Sequence, residues 1–161
     1  MPEPAVIRRA TAADLEAVGR MGALLMRMHH EFDRDRFMAP EPRSERGYGS
    51  FLGSQIDKTD ALVLIAERES EVVGYLYAAI EGPSWKELRD RAGYIHDVLI
   101  EEQHRGVRIA EDLMNAAFAW MREHHVPRVV LGSAANNVRG QRFFERLGFR
   151  PTMIEMTKEL D

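Results

Sequence analysis

The sequence contains no cysteine among its 161 residues. This absence excludes a disulfide framework, a thiolate nucleophile and a cysteine-based zinc site. The sequence also lacks an apolar run long enough to cross a bilayer. Its first four residues, Met-Pro-Glu-Pro, have neither the basic nor the apolar region of a signal peptide. We therefore expect a cytoplasmic protein with no membrane partner.

Strong charge of one sign is missing as well. The 22 basic and 26 acidic side chains leave a formal net charge of -4. A protein that holds nucleic acid through nonspecific charge would be basic, so no nucleic-acid partner is expected. The contents of 45% hydrophobic and 30% charged residues are those of an ordinary globular protein. We interpret residues 1–161 as a single domain, a length that suits one real core.

Hydrophobic periodicity predicts the element order β-α-α-β-β-β-α-β-α-β. The strands are expected at residues 6–9, 61–66, 72–80, 94–100, 128–133 and 149–156, and the helices at 12–30, 44–56, 109–121 and 137–147. Consecutive strands in the middle predict a hairpin, and strands alternating with helices at the end predict parallel crossovers. The expected fold class is therefore α/β, with a mixed, mostly antiparallel sheet and helices on both faces.

A basic turn joins the predicted strand 94–100 to the helix that begins near Ile109. The turn contains Arg105, Gly106 and Arg108. The first N–H groups of a helix have no partner within the helix, and the helix dipole favours negative charge in front of them. The turn therefore predicts a phosphate or pyrophosphate site, although many turns of this composition hold no ligand.

Two motifs give the sequence a resemblance to a known family. The first is Arg105-Gly106-Val107-Arg108-Ile109-Ala110, in the register of the loop Gln/Arg-x-x-Gly-x-Gly/Ala. The second is an asparagine, a small residue, an aromatic residue and a closing Gly-Phe, here Asn137, Gly140, Phe144, Gly148 and Phe149. With these motifs in this element order, the sequence resembles the GNAT superfamily of acyl-CoA-dependent N-acetyltransferases. The resemblance covers nearly the whole chain and is strongest over residues 94–156.

The resemblance implies a GNAT-like sheet that splays between its fourth and fifth strands. It implies acetyl-CoA as co-substrate and a possible homodimer. No metal is expected, because the pairs His29-His30 and His124-His125 lack metal-ligand partners at useful spacing. The cofactor-binding residues it implies are Val98, Leu99 and Ile100 along the pantetheine arm, Arg105, Gly106, Val107, Arg108, Ile109 and Ala110 at the pyrophosphate, and Asn137 and Phe144 on the last helix. The implied reaction is direct attack on the acetyl group, in a ternary complex, by a primary amine of a small molecule or peptide.

The resemblance also places the chemistry near His96. A polyamine-acetylating branch of the family has a Glu-Asp pair at this point, where this chain has His96-Asp97. Strand alternation puts these two residues on opposite faces, and the expected neighbours of His96 are Tyr94, Val98 and Ile100. We interpret His96 as a general base because histidine exchanges protons near neutral pH. The alternative is a packed histidine bonded to a backbone carbonyl.

Two further residues are catalytic candidates. We consider three roles for Asp97: catalysis, a hydrogen bond within the sheet, or a contact with the acceptor at a strand distortion. Ser133, at the end of the predicted strand 128–133, either protonates the leaving sulfur or caps a turn, and a water is the other proton source. The loop and helix over residues 31–56 are expected to shape the acceptor pocket.

Two residues depart from the family's pattern. Arg108 stands where a glycine lets the backbone approach phosphate, so its side chain must point away or pair with phosphate itself. Phe144 stands where many relatives have a tyrosine that protonates the sulfur, and phenylalanine cannot do so. These departures keep two alternatives open: a non-catalytic acyl-CoA-binding or regulatory module, and an unrelated phosphate-binding α/β domain.

Overall fold

The computed structural model describes residues 3–106 and 108–161. The strands are β1 (Val6–Arg9), β2 (Ala61–Arg68), β3 (Glu71–Glu81), β4 (Ala92–Ile100) and β5 (Val129–Leu131). The α-helices are α1 (Leu15–Phe32), α2 (Ser44–Gly53), α3 (Ile109–Glu123) and α4 (Val138–Arg146). Short 3-10 helices at Ala12–Asp14 and Glu102–His104 precede α1 and α3. Within the described ranges, no helix is long and apolar enough to cross a membrane.

The five strands form one sheet in the order β1-β2-β3-β4-β5. The first four strands pair antiparallel, and β5 runs parallel to β4. On one face, α3 packs over Ile95 and Ile100 in a cluster that we call the α3 cluster. On the other face, α1 and α2 pack over Tyr75, Tyr77 and Leu99. The mixed α/β fold class predicted from the sequence is confirmed.

Glycines allow α1 and α2 to approach each other closely. A Cβ on Gly19 would lie 2.4 Å from the carbonyl oxygen of Glu45, and a Cβ on Gly22 would lie 1.9 Å from the ring of Tyr48. Both distances are far below van der Waals contact, so only glycine fits without a shift of the neighbour. The space at Gly22 holds the Tyr48 ring, and this packing directs the Tyr48 hydroxyl toward β4.

A β-bulge interrupts the pairing of β3 with β4. Tyr77 is opposite Asp97 and Ala78 is opposite Ile95, so His96 is an extra residue on β4. An extra residue reverses the side-chain alternation for everything that follows it in the strand.

The bulge overturns part of the predicted alternation. The His96 ring stacks on Tyr77 with ring centroids 5.0 Å apart, and Asp97 contacts α2. Both side chains therefore lie on the α1–α2 face, and the prediction of opposite faces is wrong. Val98 and Ile100 pack on the α3 cluster, so their predicted place beside His96 is wrong for the same reason.

Residues 149–156 form no strand, and this prediction is also wrong. The edge strand β5 has only 3 residues, so it offers few backbone groups to which another strand could bond. Pro151 also has no N–H to donate to such a pairing. An ion pair between Arg36 and Glu155 holds the segment beside the loop that follows α1 instead. The large apolar side chains that remain exposed here are Met153, Ile154, Met156 and Leu160.

Candidate active site

The turn between β4 and α3 carries the predicted pyrophosphate site. Gly106 has a φ of 85°, in the left-handed region that costs glycine no steric penalty. α3 begins at Ile109, whose side chain is buried and anchors the helix in the α3 cluster. The N–H groups of Ile109 and Ala110 therefore stand at a fixed helix end without partners inside the helix. Val107 lies outside the described residues.

The two arginines of this turn are held differently. Arg105 Nε donates to the Ile100 carbonyl at 3.1 Å, so this guanidinium closes the turn onto the end of β4. The Arg108 side chain is 81% exposed, and its Nη2 lies 3.8 Å from the Glu111 carboxylate. An exposed ion pair contributes little stability, so little energy opposes a rotation of Arg108 toward an anion.

β4 and β5 separate beyond Ile95. Their parallel pairing joins Gly93, Tyr94 and Ile95 to β5. Within the part of the chain that the structure describes, no strand pairs with residues 96–100 on that side. The sheet therefore has an open backbone edge along Val98, Leu99 and Ile100, of the kind to which an extended ligand can add as a strand.

The second motif lies on and around α4. Asn137 caps this helix, because its Oδ1 accepts a hydrogen bond from the Gly140 N–H at 3.0 Å. Phe144 packs against Phe143 and Phe149, with ring centroids 5.5 and 6.0 Å away. Ser133 is exposed just beyond β5.

His96 is held in place by a carboxylate and by two aromatic rings. Its Nε2 lies 3.0 Å from Glu81 Oε1, and its ring stacks on Tyr94 with centroids 4.4 Å apart. Because a carboxylate only accepts hydrogen bonds, Nε2 carries the proton. The Nδ1 atom of the neutral ring then has a free lone pair, which is what a general base requires.

Asp97 receives two tyrosine hydroxyls on the same oxygen. Tyr48 donates to Oδ2 from α2, and Tyr75 donates to it from β3 at 3.1 Å. Oδ1 accepts no hydrogen bond from the described residues. Burial raises the pKa of Asp97, although the two hydroxyls oppose that shift. Burial and the nearby Asp97 charge raise the pKa of Tyr48, which therefore stays protonated and donates.

A cleft opens between α1, the following loop, α2 and the bulge of β4. Its volume is about 200 Å³. His96 and Asp97 stand together at its β4 side, and Ser133 does not line it. The lining residues are Gly22, Leu25, Met26, His29, Phe37, Met38, Tyr48, His96 and Asp97.

The sequence interpretation missed several of these residues. Three lining residues, Phe37, Met38 and Tyr48, come from the segment 31–56 that was expected to shape the pocket. Four others come from α1, which was not expected to line it. Glu81 was missed because its contact with His96 depends on the β3–β4 register. An acidic residue at a strand end carries no signal of that contact without the bulge.

The described residues contain no group of three or more histidine, aspartate or glutamate side chains placed to hold a metal ion.

Several solved structures share this fold. A mutant of the BH1408 protein from Bacillus halodurans is 23% identical, with a TM-score of 0.83, and the match covers 96% of this chain and 99% of that one. A predicted acetyltransferase from Clostridium acetobutylicum, solved with acetyl-CoA, is 16% identical, with a TM-score of 0.74 and coverage of 95% and 96%. AAC(6')-Iy, solved with the bisubstrate analogue CoA-S-monomethyl-acetylneamine, is 14% identical, with a TM-score of 0.72 and coverage of 99% of both chains. No curated protein matches the chain.

The site lies in a mixed α/β sheet that is open between β4 and β5 beside the N-terminus of α3. The chain matches the Acetyltransferase (GNAT) family over residues 25–149, and it belongs to that family.

Proposed function

We propose that the protein is an N-acetyltransferase that transfers the acetyl group of acetyl-CoA to a primary amine of a small molecule or peptide. The observation that carries the proposal is the bulge at His96. It brings His96 and Asp97 to one cleft at the point where β4 loses its β5 neighbour. The structures solved with acetyl-CoA and with a CoA analogue support the choice of co-substrate.

In this proposal the co-substrate lies along the open edge of β4. The backbone groups of Val98, Leu99 and Ile100 pair with the pantetheine arm as a neighbouring strand would. The N–H groups from Gly106 to Ala110, in front of α3, hold the pyrophosphate. Arg105 keeps the turn closed through Ile100. Asn137 and Phe144, on α4, flank the thioester side.

The residues of the chain then have distinct tasks in the reaction. Asp97 holds the incoming ammonium, and His96 takes one of its protons at Nδ1 so that the neutral amine can attack the acetyl carbon. A backbone N–H near Val98 donates to the carbonyl oxygen as negative charge develops there. The carbon–sulfur bond breaks, and the nitrogen, which becomes an amide nitrogen, gives up a second proton. Of the two protons that the ammonium loses, one passes from His96 to solvent and one is matched by the proton delivered to the sulfur.

Water is the proposed source of that last proton. Phe144 has no hydroxyl, and Ser133 is exposed outside the cleft. A thiol has an ordinary pKa of about 8.5, so its thiolate is a good leaving group without a dedicated acid. The role of proton donor predicted for Ser133 is a separate hypothesis: if water is the donor, Ser133→Ala should leave the rate of acetyl transfer within about twofold, and a larger loss would support Ser133.

The test of the proposed function is amine-dependent release of CoA thiol. Protein, acetyl-CoA and a panel of amines (arylalkylamines, polyamines, aminoglycosides, amino acids and peptides) are mixed, and free thiol is measured over time. Release above the amine-free background supports the proposal. Tight CoA binding with no release for any amine contradicts it and supports the alternative that Phe144 favours, a non-catalytic acyl-CoA-binding module.

A homodimer is also part of the proposal. The segment after α4 exposes Met153, Ile154, Met156 and Leu160, each at least 82% exposed. Exposure of so many apolar side chains to water is unfavourable, and a second copy of the chain would cover them. Light scattering on the purified protein gives its molar mass. A mass of one chain at all concentrations would exclude the dimer.

A further inference from the structure

We propose that the cleft between α1, α2 and β4 selects a single primary ammonium carried on a compact apolar stem, preferably an aromatic ring, with Asp97 Oδ1 as the anchor. This inference rests on the proposed function and names its acceptor class. Polycationic amines and peptide side chains are the acceptors that it excludes as preferred substrates.

The size of the cleft suits a compact acceptor. Its volume is about 200 Å³, whereas an apolar cavity of roughly 150 Å³ in a protein interior is known to bind benzene. One ring with a two- or three-atom aminoalkyl chain therefore fills the space.

The walls of the cleft suit an apolar, preferably aromatic, stem. Leu25 and Met26 of α1 and Phe37 and Met38 of the following loop give the cleft a mainly apolar lining. Methionine thioethers and a phenylalanine ring contact aromatic ligands favourably and adapt to their shape. The ring of His29 meets that of Phe37 edge-on at 5.0 Å, which fixes the Phe37 wall.

The charges in the cleft suit a ligand with one ammonium group. Asp97 is the one carboxylate among the residues that line the cleft. Tyr48 and Tyr75 occupy its Oδ2, so Oδ1 remains for one donor from a ligand. A buried carboxylate with a vacant oxygen gains most from a charged donor, because the hydrogen bond is then charge-assisted.

The remaining charged groups offer no unoccupied anion to a second ammonium. His29 donates from Nδ1 to the Leu25 carbonyl at 2.9 Å and offers no anion to the cleft. The Arg36 guanidinium stands 4.8 Å above the Phe37 ring and is paired with the Glu155 carboxylate, so this carboxylate is already occupied. Glu81 lies behind His96 and is already bonded to Arg89. A polyamine therefore gains no second ion pair in the cleft, whereas any further ammonium that enters it is desolvated without a partner, which is costly.

The experiment compares matched amines in the thiol-release assay: 2-phenylethylamine, spermidine, neamine and a lysine-containing peptide. The expected kcat/KM for 2-phenylethylamine is at least about tenfold above that for each of the others, the difference that one unpaired buried group makes. Equal or better use of spermidine, neamine or the peptide would overturn the acceptor class and leave the acetyltransferase intact.

Direct binding separates the failure of the two proposals. 2-Phenylethylamine is titrated calorimetrically into the protein saturated with CoA. If no amine releases thiol but this amine binds the wild type and not Asp97→Asn, the cleft assignment stands and the catalytic proposal fails. No binding to the wild type overturns the cleft assignment, whatever the activity.

A variant in the cleft and a control outside it test the predicted amine preference further. Met38→Asp adds a second carboxylate at a side chain that is 71% exposed, where folding is not at risk. We expect it to raise kcat/KM for spermidine by several-fold and to lower it for 2-phenylethylamine, and an unchanged ratio would count against the cleft assignment. Asp57→Asn removes an exposed carboxylate outside the cleft and is expected to change neither value.

Discussion

Glu81 Oε1, at the end of β3, lies 3.0 Å from His96 Nε2 on β4. The other oxygen of Glu81 accepts from Arg89 Nη2 at 2.8 Å, so the carboxylate is fixed from both sides. A carboxylate behind a histidine selects its tautomer, orients its ring and stabilises the imidazolium that forms when the base is protonated. Arg89, Glu81 and His96 therefore form one chain of hydrogen bonds, which leaves Nδ1 of His96 for the proposed substrate.

Glu81→Gln should lower kcat by about tenfold or more while leaving CoA affinity unchanged. Glutamine keeps the size of the side chain but does not stabilise a charged imidazole. His96→Ala should lower kcat by roughly 10²-fold to 10⁴-fold, the usual worth of a general base. Steady-state rates across pH and calorimetric CoA binding measure the two effects separately.

His125→Asn is the matched control for His96→Ala. His125 is exposed, lies outside the cleft and has a φ of 53°, which asparagine tolerates. This variant should keep the wild-type rate. If His96→Ala kept the rate and its pH dependence as well, the assignment of His96 as base would fail.

Asp97→Asn should stabilise the protein at neutral pH. Burial raises the pKa of Asp97, so the folded protein binds this proton more tightly than the unfolded chain does. The contribution of Asp97 to the free energy of unfolding therefore falls as pH rises above the ordinary aspartate pKa of about 3.9. We expect a Tm gain of about 2–4 °C at pH 7. The gain should disappear below about pH 4, and a lower Tm at pH 7 would contradict the argument.

Gly22→Ala should destabilise the protein by about 1–3 kcal/mol, the usual cost of overpacking. Its Cβ would lie 1.9 Å from the Tyr48 ring, and the displaced ring would lose its contact with Asp97. Gly47→Ala is the matched control in α2, because a Cβ there has no neighbour within 4 Å. The control should gain up to about 1 kcal/mol from helix propensity. Urea unfolding measures both, and equal effects would refute the packing account of Gly22.

Arg108→Gly should leave CoA affinity within about threefold of the wild type if the exposed side chain points away from phosphate. The glycine would also restore the residue that the family's loop has at this position. A larger loss, diminishing as salt is added, would show that Arg108 pairs with phosphate. Calorimetry at two ionic strengths distinguishes the outcomes.

The pattern of the sequence predicted most of the fold because period and spacing are local properties. The hairpin of β2 and β3, the crossover through α3 and the cap at Asn137 follow from residues near one another in the chain. The face of Asp97 and the contact of Glu81 with His96 were not predictable in this way, because both depend on one extra residue in a pairing between distant segments. The strand expected at residues 149–156 failed because alternation shows what a segment could bury, not whether a partner edge is available.

The bulge gives the proposed base an unusual place in the strand. If His96 were deleted, Ile95 opposite Ala78 and Asp97 opposite Tyr77 would become consecutive pairs of an unbroken ladder. No other side chain of β4 would have to change faces. The strand pairing does not require His96, so the proposed base is an extra residue in the sheet. Deletion of this one residue should then yield a folded protein that keeps the proposed acetyl-CoA site and lacks the proposed base.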